Sequence, residues 1–299
     1  MSDLDPFESR LALPDDGLSA RERTLLGFEP RYERVHGQLR LLLEADKLAE
    51  WNAQHHGGKL ALTDLLADQY PLVIFHGDVG TGKTVAAECI ANRIVVDAKA
   101  GESILFKLSN RVRGEGLVGE MGSGLSNAFA AIAKTIGKTR RAILIIDEGD
   151  SLAASRDQEQ SHHEDKVGVN TLIQGIDDLR SHGGRIVVIL CTNRLQVVDP
   201  ALRRRAAVTA EFTRPDSDER RALLEMDMNG LDLTARQLKE LATLSGPQDG
   251  EPGWTFSDFR TRLYPAAVAL AYPSRPLRYD DLVEVAAGMK ASPAMRGDR

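Results

Sequence analysis

The chain has 299 residues, of which 42% are hydrophobic and 27% charged, a composition typical of globular proteins and not of disordered or fibrous ones. Because 44 acidic residues outnumber 38 basic ones and the net charge is −6, no general attraction to nucleic acid or anionic membranes is expected. Cys89 and Cys191 lie in apolar stretches, which argues against a disulfide scaffold and predicts a reduced, cytoplasmic protein. The acidic N-terminus does not resemble a signal peptide, and no apolar stretch reaches the roughly 18 residues of a membrane span.

The pattern of apolar residues predicts an α/β domain. Residues 1–22 are polar and acidic and are expected to form a loosely ordered lead-in, and the apolar spacing from Tyr32 to Gln54 predicts one amphipathic helix. Beyond it, short apolar runs alternate with helical patterns, which is typical of a parallel sheet covered on both faces. The five predicted strands are residues 71–76, 103–108, 142–146, 186–190 and 208–212, and the helices between them are residues 83–96, 125–136 and 167–179.

Strand patterns stop at Arg214-Pro215, and helical patterns fill most of residues 217–290. We therefore predict three parts: a short, partly helical N-terminal segment (1–60), a large α/β subdomain (61–213) and a small helical subdomain (214–299).

A glycine-rich loop follows the first predicted strand of the sheet. It matches the pattern G-x-x-x-x-G-K-[ST] in full and lies between a strand and a helix, as this pattern requires. Glycines let backbone amides wrap around a phosphate, Lys83 can reach the β- and γ-phosphates of ATP, and the Thr84 hydroxyl can bind Mg²⁺. The residues of this candidate P-loop are Gly77, Asp78, Val79, Gly80, Thr81, Gly82, Lys83 and Thr84.

Two acidic residues follow the predicted strand 142–146, whose last four residues are all apolar. Asp147 comes at its carboxyl end, where ligands bind in such sheets, and is expected to hold the Mg²⁺ ion. Glu148, one residue later, points in another direction and is expected to polarise the attacking water as a general base. A solvated Asp-Glu turn is the alternative interpretation.

Two further features suggest catalytic roles. Asn193 follows the strand 186–190 and could orient water against the γ-phosphate, or it could simply form a turn. The short helix from Asp199 ends in three arginines, Arg203, Arg204 and Arg205. One of them could reach into a neighbouring subunit as an arginine finger, or they could form a solvated basic helix end that complements the helix dipole.

The order of these motifs, followed by a helical lid, resembles the AAA+ ATPases over about residues 65–290. That resemblance implies a three-layer αβα P-loop NTPase domain with a helical lid. Three segments (residues 147–156, 169–177 and 199–206) also resemble the HORMA-remodelling family within AAA+. In that family Arg205 best matches the finger position, and Arg204 is the alternative.

The HORMA-remodelling resemblance implies a homo-hexamer that uses ATP to pull on the N-terminus of a HORMA-domain protein. Short bacterial members of the family belong to antiphage CBASS operons. The implied function is therefore disassembly of complexes that contain a HORMA protein, including one with a cyclic nucleotide synthase. Such an activity would make the chain a negative regulator of cyclic-oligonucleotide signalling.

The resemblance also points to a substrate-gripping loop. Gly116, Leu117, Val118 and Gly119 lie where AAA+ unfoldases carry their first pore loop. An aromatic residue is usual at the position of Leu117, and a leucine would still offer an apolar contact to a peptide. A glycine-rich surface loop is the other interpretation.

The lid segment from Gly253 to Arg260 resembles the AAA+ segment that closes over the nucleotide. Arg260 is the candidate for the lid arginine that senses the γ-phosphate. Asp258-Phe259 replaces the family's Gly-Arg pair, so Arg262 is an alternative.

Other functions fit the sequence less well. A loader-type AAA+ ATPase acting on nucleic acid would need a basic face or a helix-turn-helix appendage, and the sequence shows neither. An AAA+ ATPase that acts on a protein without a HORMA domain is an alternative that the sequence leaves open. A non-hydrolysing scaffold does not need Asp147, Glu148 and Asn193 together, and a small-molecule kinase does not explain the arginines or the lid.

Overall fold

The computed structural model describes residues 5–67, 69–99, 102–113, 120–137, 140–153, 163–248 and 250–295. Six strands form one sheet in the order β1-β3-β4-β5-β2-β6. In chain order the strands are β1 (Phe7–Leu13), β2 (Leu72–Gly77), β3 (Ser103–Leu108), β4 (Arg141–Ile146), β5 (Ile186–Thr192) and β6 (Ala206–Phe212). The inner strands β3, β4, β5 and β2 run parallel, and β1 pairs antiparallel with β3.

Helices separate and follow the strands. In chain order they are α1 (Asp16–Glu22), α2 (Phe28–Leu43), α3 (Ala45–His56), α4 (Leu62–Ala67), α5 (Lys83–Asp97), α6 (Glu120–Ile136), α7 (Gly149–Leu152), α8 (His163–Leu179), α9 (Pro200–Arg205), α10 (Ser217–Asp227), α11 (Ala235–Leu244), α12 (Tyr264–Ala271) and α13 (Tyr279–Gly288). A π-helical turn, Asp258–Leu263, leads into α12. In the described ranges, no helix combines the length and the apolar character that a bilayer crossing needs.

The sheet confirms the predicted α/β class, but the prediction of five strands is wrong, because β1 adds a sixth. Only the first and last residues of β1, Phe7 and Leu13, are buried. Between them, Glu8, Ser9 and Arg10 are exposed, as edge strands allow. The alternation that marks a half-buried strand is therefore absent from this sequence.

Both faces of the sheet are covered. On one face, Leu144 and Leu190 belong to the same apolar cluster as Phe129 of α6 and Ile176 of α8. On the other face, Nζ of Lys107 in β3 lies 3.7 Å from Oε1 of Glu88 in α5. All seven residues of β5 are buried, which explains why this strand reads as a continuous apolar run.

Within residues 5–22, β1 pairs with β3 and the segment from Asp15 to Ser19 contacts α5, so the prediction of a loose lead-in is wrong for this part of the chain. The side chain of Asn92, 1% exposed, accepts from the backbone N–H of Asp15 at 2.7 Å and donates to Ser19 Oγ at 2.9 Å. The single helix predicted from Tyr32 to Gln54 is two helices, α2 and α3. They are separated at Glu44, whose φ of −116° and ψ of 37° are not helical.

The chain divides into two compact units. The first contains the residues before Arg23, Gly27–His76 and Thr84–Glu211. The second contains Arg23–Leu26, Gly77–Lys83 and the chain from Phe212 onward. The core of the second unit is apolar and comes from α10 to α13, the π-helical turn and the segment before it; it includes Leu224, Leu241, Trp254, Phe259 and Leu282. The predicted boundary between residues 213 and 214 stays a prediction.

Candidate functional site

The loop after β2 has the backbone that its glycines predict. Gly77, Gly80 and Gly82 have φ values of 136°, 77° and 89°, a region that residues with a Cβ rarely adopt. A Cβ on Gly77 would lie 2.1 Å from the carbonyl oxygen of Phe212, in the same unit. A side chain at this position would therefore displace the start of the loop.

The ammonium group of Lys83 lies across this loop. Its Nζ donates to the carbonyl of Gly77 at 2.9 Å and to that of Asp78 at 2.8 Å, and the residue is 7% exposed. Thr81 Oγ1 also donates to the Asp78 carbonyl, at 2.8 Å. The loop thus carries a fixed positive charge beside its backbone, which suits the binding of phosphate.

In the first unit, the start of α5 meets the end of β4. Thr84 Oγ1 donates to Asp147 Oδ2 at 2.8 Å, although the two residues are 63 positions apart. A hydroxyl oxygen and a carboxylate oxygen are both hard ligands, and Mg²⁺ prefers oxygen ligands of this kind. This pair fits the ion that the sequence predicts there.

Glu148 has a left-handed backbone, with φ 50° and ψ 43°. Such values are uncommon for residues other than glycine and cost of order 1–3 kcal/mol. The Glu148 N–H donates to Asp147 Oδ1 at 2.8 Å. The next residue, Gly149, has no room for a side chain, because its Cβ would lie 2.5 Å from Leu190 Cδ1. These contacts fix the turn and leave Glu148 exposed.

The end of β5 is joined to this turn by Asp150. Asp150 Oδ1 accepts from Thr192 Oγ1 at 3.3 Å and from the backbone N–H of Asn193 at 3.4 Å. Because β4 and β5 are parallel neighbours, Asp147 and Asn193 follow adjacent strand ends. Asp150 is not among the site residues predicted from the sequence, where only its place three positions after Asp147 marks it.

Arg205 is held within its own unit. Its Nε and Nη2 donate to the two carboxylate oxygens of Asp177 in α8, at 2.5 and 2.9 Å, and its guanidinium lies 5.2 Å from the Tyr70 ring. The hydrogen bond to Asp177 raises the pKa of Arg205. Arg204 is exposed and donates to the Pro200 carbonyl at 3.3 Å. The role of Arg205 or Arg204 as an arginine finger in a neighbouring subunit stays a prediction.

Both candidates for the lid arginine lie in the π-helical turn, and both form ion pairs. Arg260 donates to the two oxygens of Asp227, each at 2.8 Å, and to the Thr24 carbonyl at 2.5 Å. The hydrogen bond to Asp227 raises the pKa of Arg260. Arg262 donates to Asp258 at 2.8 Å. The role of each as a γ-phosphate sensor stays a prediction.

The candidate pore-loop residues Gly116, Leu117, Val118 and Gly119 lie outside the described residues.

Comparison with known proteins identifies the class. The family model for the ATPase family associated with various cellular activities (AAA) matches residues 73–214, the span that contains the P-loop, Asp147-Glu148 and the arginines. The chain is an AAA ATPase and hence a nucleotide-binding protein.

Longer matches identify the branch of this class. CD-NTase-associated protein 6 of Escherichia coli (strain KTE188) is 59% identical over 99% of both chains. A chain of the E. coli MS115-1 HORMA:CdnC:Trip13 complex is 37% identical, with a TM-score of 0.89 over 97% of both chains. Trip13 from Rhizobiales is 32% identical, with a TM-score of 0.73 over 96% of this chain and 99% of its own. The chain belongs to the family of CD-NTase-associated protein 6, which confirms the family predicted from the motifs.

Proposed function

We propose that this AAA ATPase uses ATP hydrolysis to remodel a HORMA-domain protein and to disassemble its complex with a cyclic nucleotide synthase. The observation that supports this most is similarity along the whole chain to a member of a HORMA:CdnC:Trip13 complex. In an antiphage operon such an activity would act as a negative regulator of cyclic-oligonucleotide signalling. A cytoplasmic location is part of the same proposal.

The P-loop residues Gly77 to Thr84 would bind ATP. Backbone amides and the Lys83 ammonium would hold the phosphates, which is supported by the position of Lys83 against the loop carbonyls. Thr84 and Asp147 would hold Mg²⁺, which neutralises charge on the phosphate oxygens.

Glu148 would accept the proton of the attacking water, since it is exposed and held by a fixed turn. Asn193, at the neighbouring strand end, would orient that water. Arg205, or else Arg204, would stabilise transition-state charge in the site of the next subunit of a homo-hexamer.

The remaining parts of the proposal concern the lid and the substrate. Arg260 or Arg262 would sense the nucleotide from the lid. Gly116, Leu117, Val118 and Gly119 would contact the substrate in the central pore.

The test uses the HORMA-domain protein and the cyclic nucleotide synthase encoded in the same genome. Their complex is incubated with the chain and Mg-ATP, phosphate release is measured, and the products are separated by size-exclusion chromatography. We expect the two partners to elute separately after ATP hydrolysis, and to stay together with Lys83→Ala. Hydrolysis that leaves the complex intact would refute remodelling, and hydrolysis stimulated by DNA would favour a loader.

A further inference from the structure

Asp78, the second residue of the P-loop, is held by three donors. Its Oδ2 accepts from Arg214 Nε at 2.6 Å, and its Oδ1 accepts from the backbone N–H groups of Val79 at 3.0 Å and Met295 at 3.1 Å. The Asp78 side chain is 17% exposed. A carboxylate that is mostly buried requires such partners, because an unpaired charge there is costly.

Arg214 also contacts the backbone at Gly253 and so connects Asp78 to that part of the chain. Its Nη1 donates to the Gly253 carbonyl at 2.7 Å, and its side chain is 12% exposed. Its Nη2 is buried and makes no hydrogen bond with the residues that the structure describes. The guanidinium therefore joins the P-loop to Gly253, the first residue of the lid segment.

The P-loop also packs closely against that lid segment at Gly80. The Gly80 carbonyl accepts from the Ser257 N–H at 3.1 Å. A Cβ on Gly80 would lie 2.7 Å from Thr255 Oγ1. The loop therefore has little room to shift while these contacts persist.

Asp78 contacts both basic residues. Its side chain accepts from Arg214, and its backbone carbonyl accepts from Lys83. The Asp78 carbonyl accepts from Lys83 Nζ at 2.8 Å. A movement of Asp78 would therefore move the acceptor that places the ammonium group for phosphate.

We propose that Arg214 is a positioning residue for the ATPase reaction: through Asp78 it fixes the P-loop and hence the site of the Lys83 ammonium. This inference rests on the proposed role of the loop as the ATP site. Arg214 acts at a distance from the chemistry, since its contacts are with the Asp78 side chain and the Gly253 carbonyl.

Steady-state ATP hydrolysis tests the proposal. Arg214→Ala removes the charge facing Asp78, so the loop can shift and ATP should bind less tightly. We expect KM for ATP to rise about tenfold, with kcat within about twofold of the parent. Asp78→Asn should act in the same direction, and the double variant should be no worse than the more impaired single variant, because the two residues act as one unit.

Arg214→Lys provides a second, milder variant. Lysine keeps the charge but lacks the planar fork that can bind Asp78 and Gly253 together. We expect an intermediate KM, which tests the proposal even if Arg214→Ala does not fold.

Arg275→Ala is the matched control. Like Arg214, Arg275 pairs with a carboxylate and with backbone carbonyls: it donates to Asp281 at 2.7 and 2.6 Å, and its other acceptors, Leu270 and Pro276, are not in the loop. We expect an unchanged KM in this variant. If Arg214→Ala and Arg214→Lys also keep the parent KM and lose only thermal stability, Arg214 is structural and the inference is wrong. No ATP binding or turnover in the parent would instead refute the ATP site itself.

Discussion

The buried carboxylate of Asp258 gives a quantitative prediction for the helical unit. Asp258 is 0% exposed and accepts five hydrogen bonds. Thr255 donates to it from N and Oγ1 at 2.9 and 3.0 Å, Ser292 from N and Oγ at 3.3 and 2.6 Å, and Arg262 from Nη1 at 2.8 Å. These bonds fasten the π-helical turn and the residues that follow α13.

Asp258→Asn keeps the shape of the side chain but replaces one oxygen by an NH₂ group that faces donors. A hydrogen bond to a charged group contributes about 1.5–3 kcal/mol and a neutral one about 1 kcal/mol. Arg262 is 42% exposed, so its pair adds little. We expect the free energy of unfolding of this unit to fall by about 2–4 kcal/mol.

The effect should depend on pH. Burial by itself raises the pKa of Asp258, but the hydrogen bonds from Ser292, Thr255 and Arg262 outweigh it and hold the pKa below its ordinary value. A lowered pKa in the folded state means that this stabilisation is fully present above the ordinary carboxyl pKa of about 3.9 and is lost as the pH falls through the folded value. The difference between parent and Asp258→Asn should therefore shrink below about pH 4.

Trp254 is a suitable reporter for this measurement. It is 3% exposed and its ring lies 5.4 Å from that of Phe259. In a Trp51→Phe background, urea unfolding followed by Trp254 fluorescence gives the free energy for the helical unit. Asp232→Asn, at an exposed position, is the control and should change it by less than about 0.5 kcal/mol. A similarly small change for Asp258→Asn at neutral pH would refute the reasoning.

Three further predictions concern the motor. Glu148→Gln should bind ATP but not hydrolyse it, because the amide cannot act as a base; calorimetry and phosphate release together check this, and unchanged turnover would remove Glu148 from the mechanism. Arg205→Ala should lower turnover about 10³-fold, and mixing it with Glu148→Gln should restore part of the activity; no rescue after verified subunit exchange would argue against a shared site. Leu117→Ala should keep basal hydrolysis but lose disassembly of the HORMA complex in the chromatographic assay, and disassembly at the parent rate would refute the pore-loop role.

The inner strands and the P-loop could be predicted because their signals are local. The buried residues of β5 follow one another without interruption, and the glycine pattern occupies eight consecutive positions. Each signal depends on neighbours within one element, so a single sequence is sufficient to find it.

The contacts that support the site could not be predicted in this way. Asp78 and Arg214 are 136 positions apart, and Arg205 and Asp177 are 28 apart. Charged residues are common on surfaces, so their sequence does not indicate which acid and which base meet. The helix break at Glu44 could not be predicted either, because no glycine or proline stands beside Glu44 to indicate where a helix ends.

The position of β1 bears on solubility. This strand covers one edge of the sheet, where its backbone pairs with β3 from Leu13–Ser103 to Phe7–Leu108. Removal of the N-terminal residues would uncover the amide and carbonyl groups of β3, a strand with Ile104, Leu105 and Phe106 in sequence. An unpaired apolar edge of this kind is a template for aggregation. Phe7–Leu13 therefore protects this edge from other chains, and an N-terminal deletion that removes it would produce a chain prone to self-association.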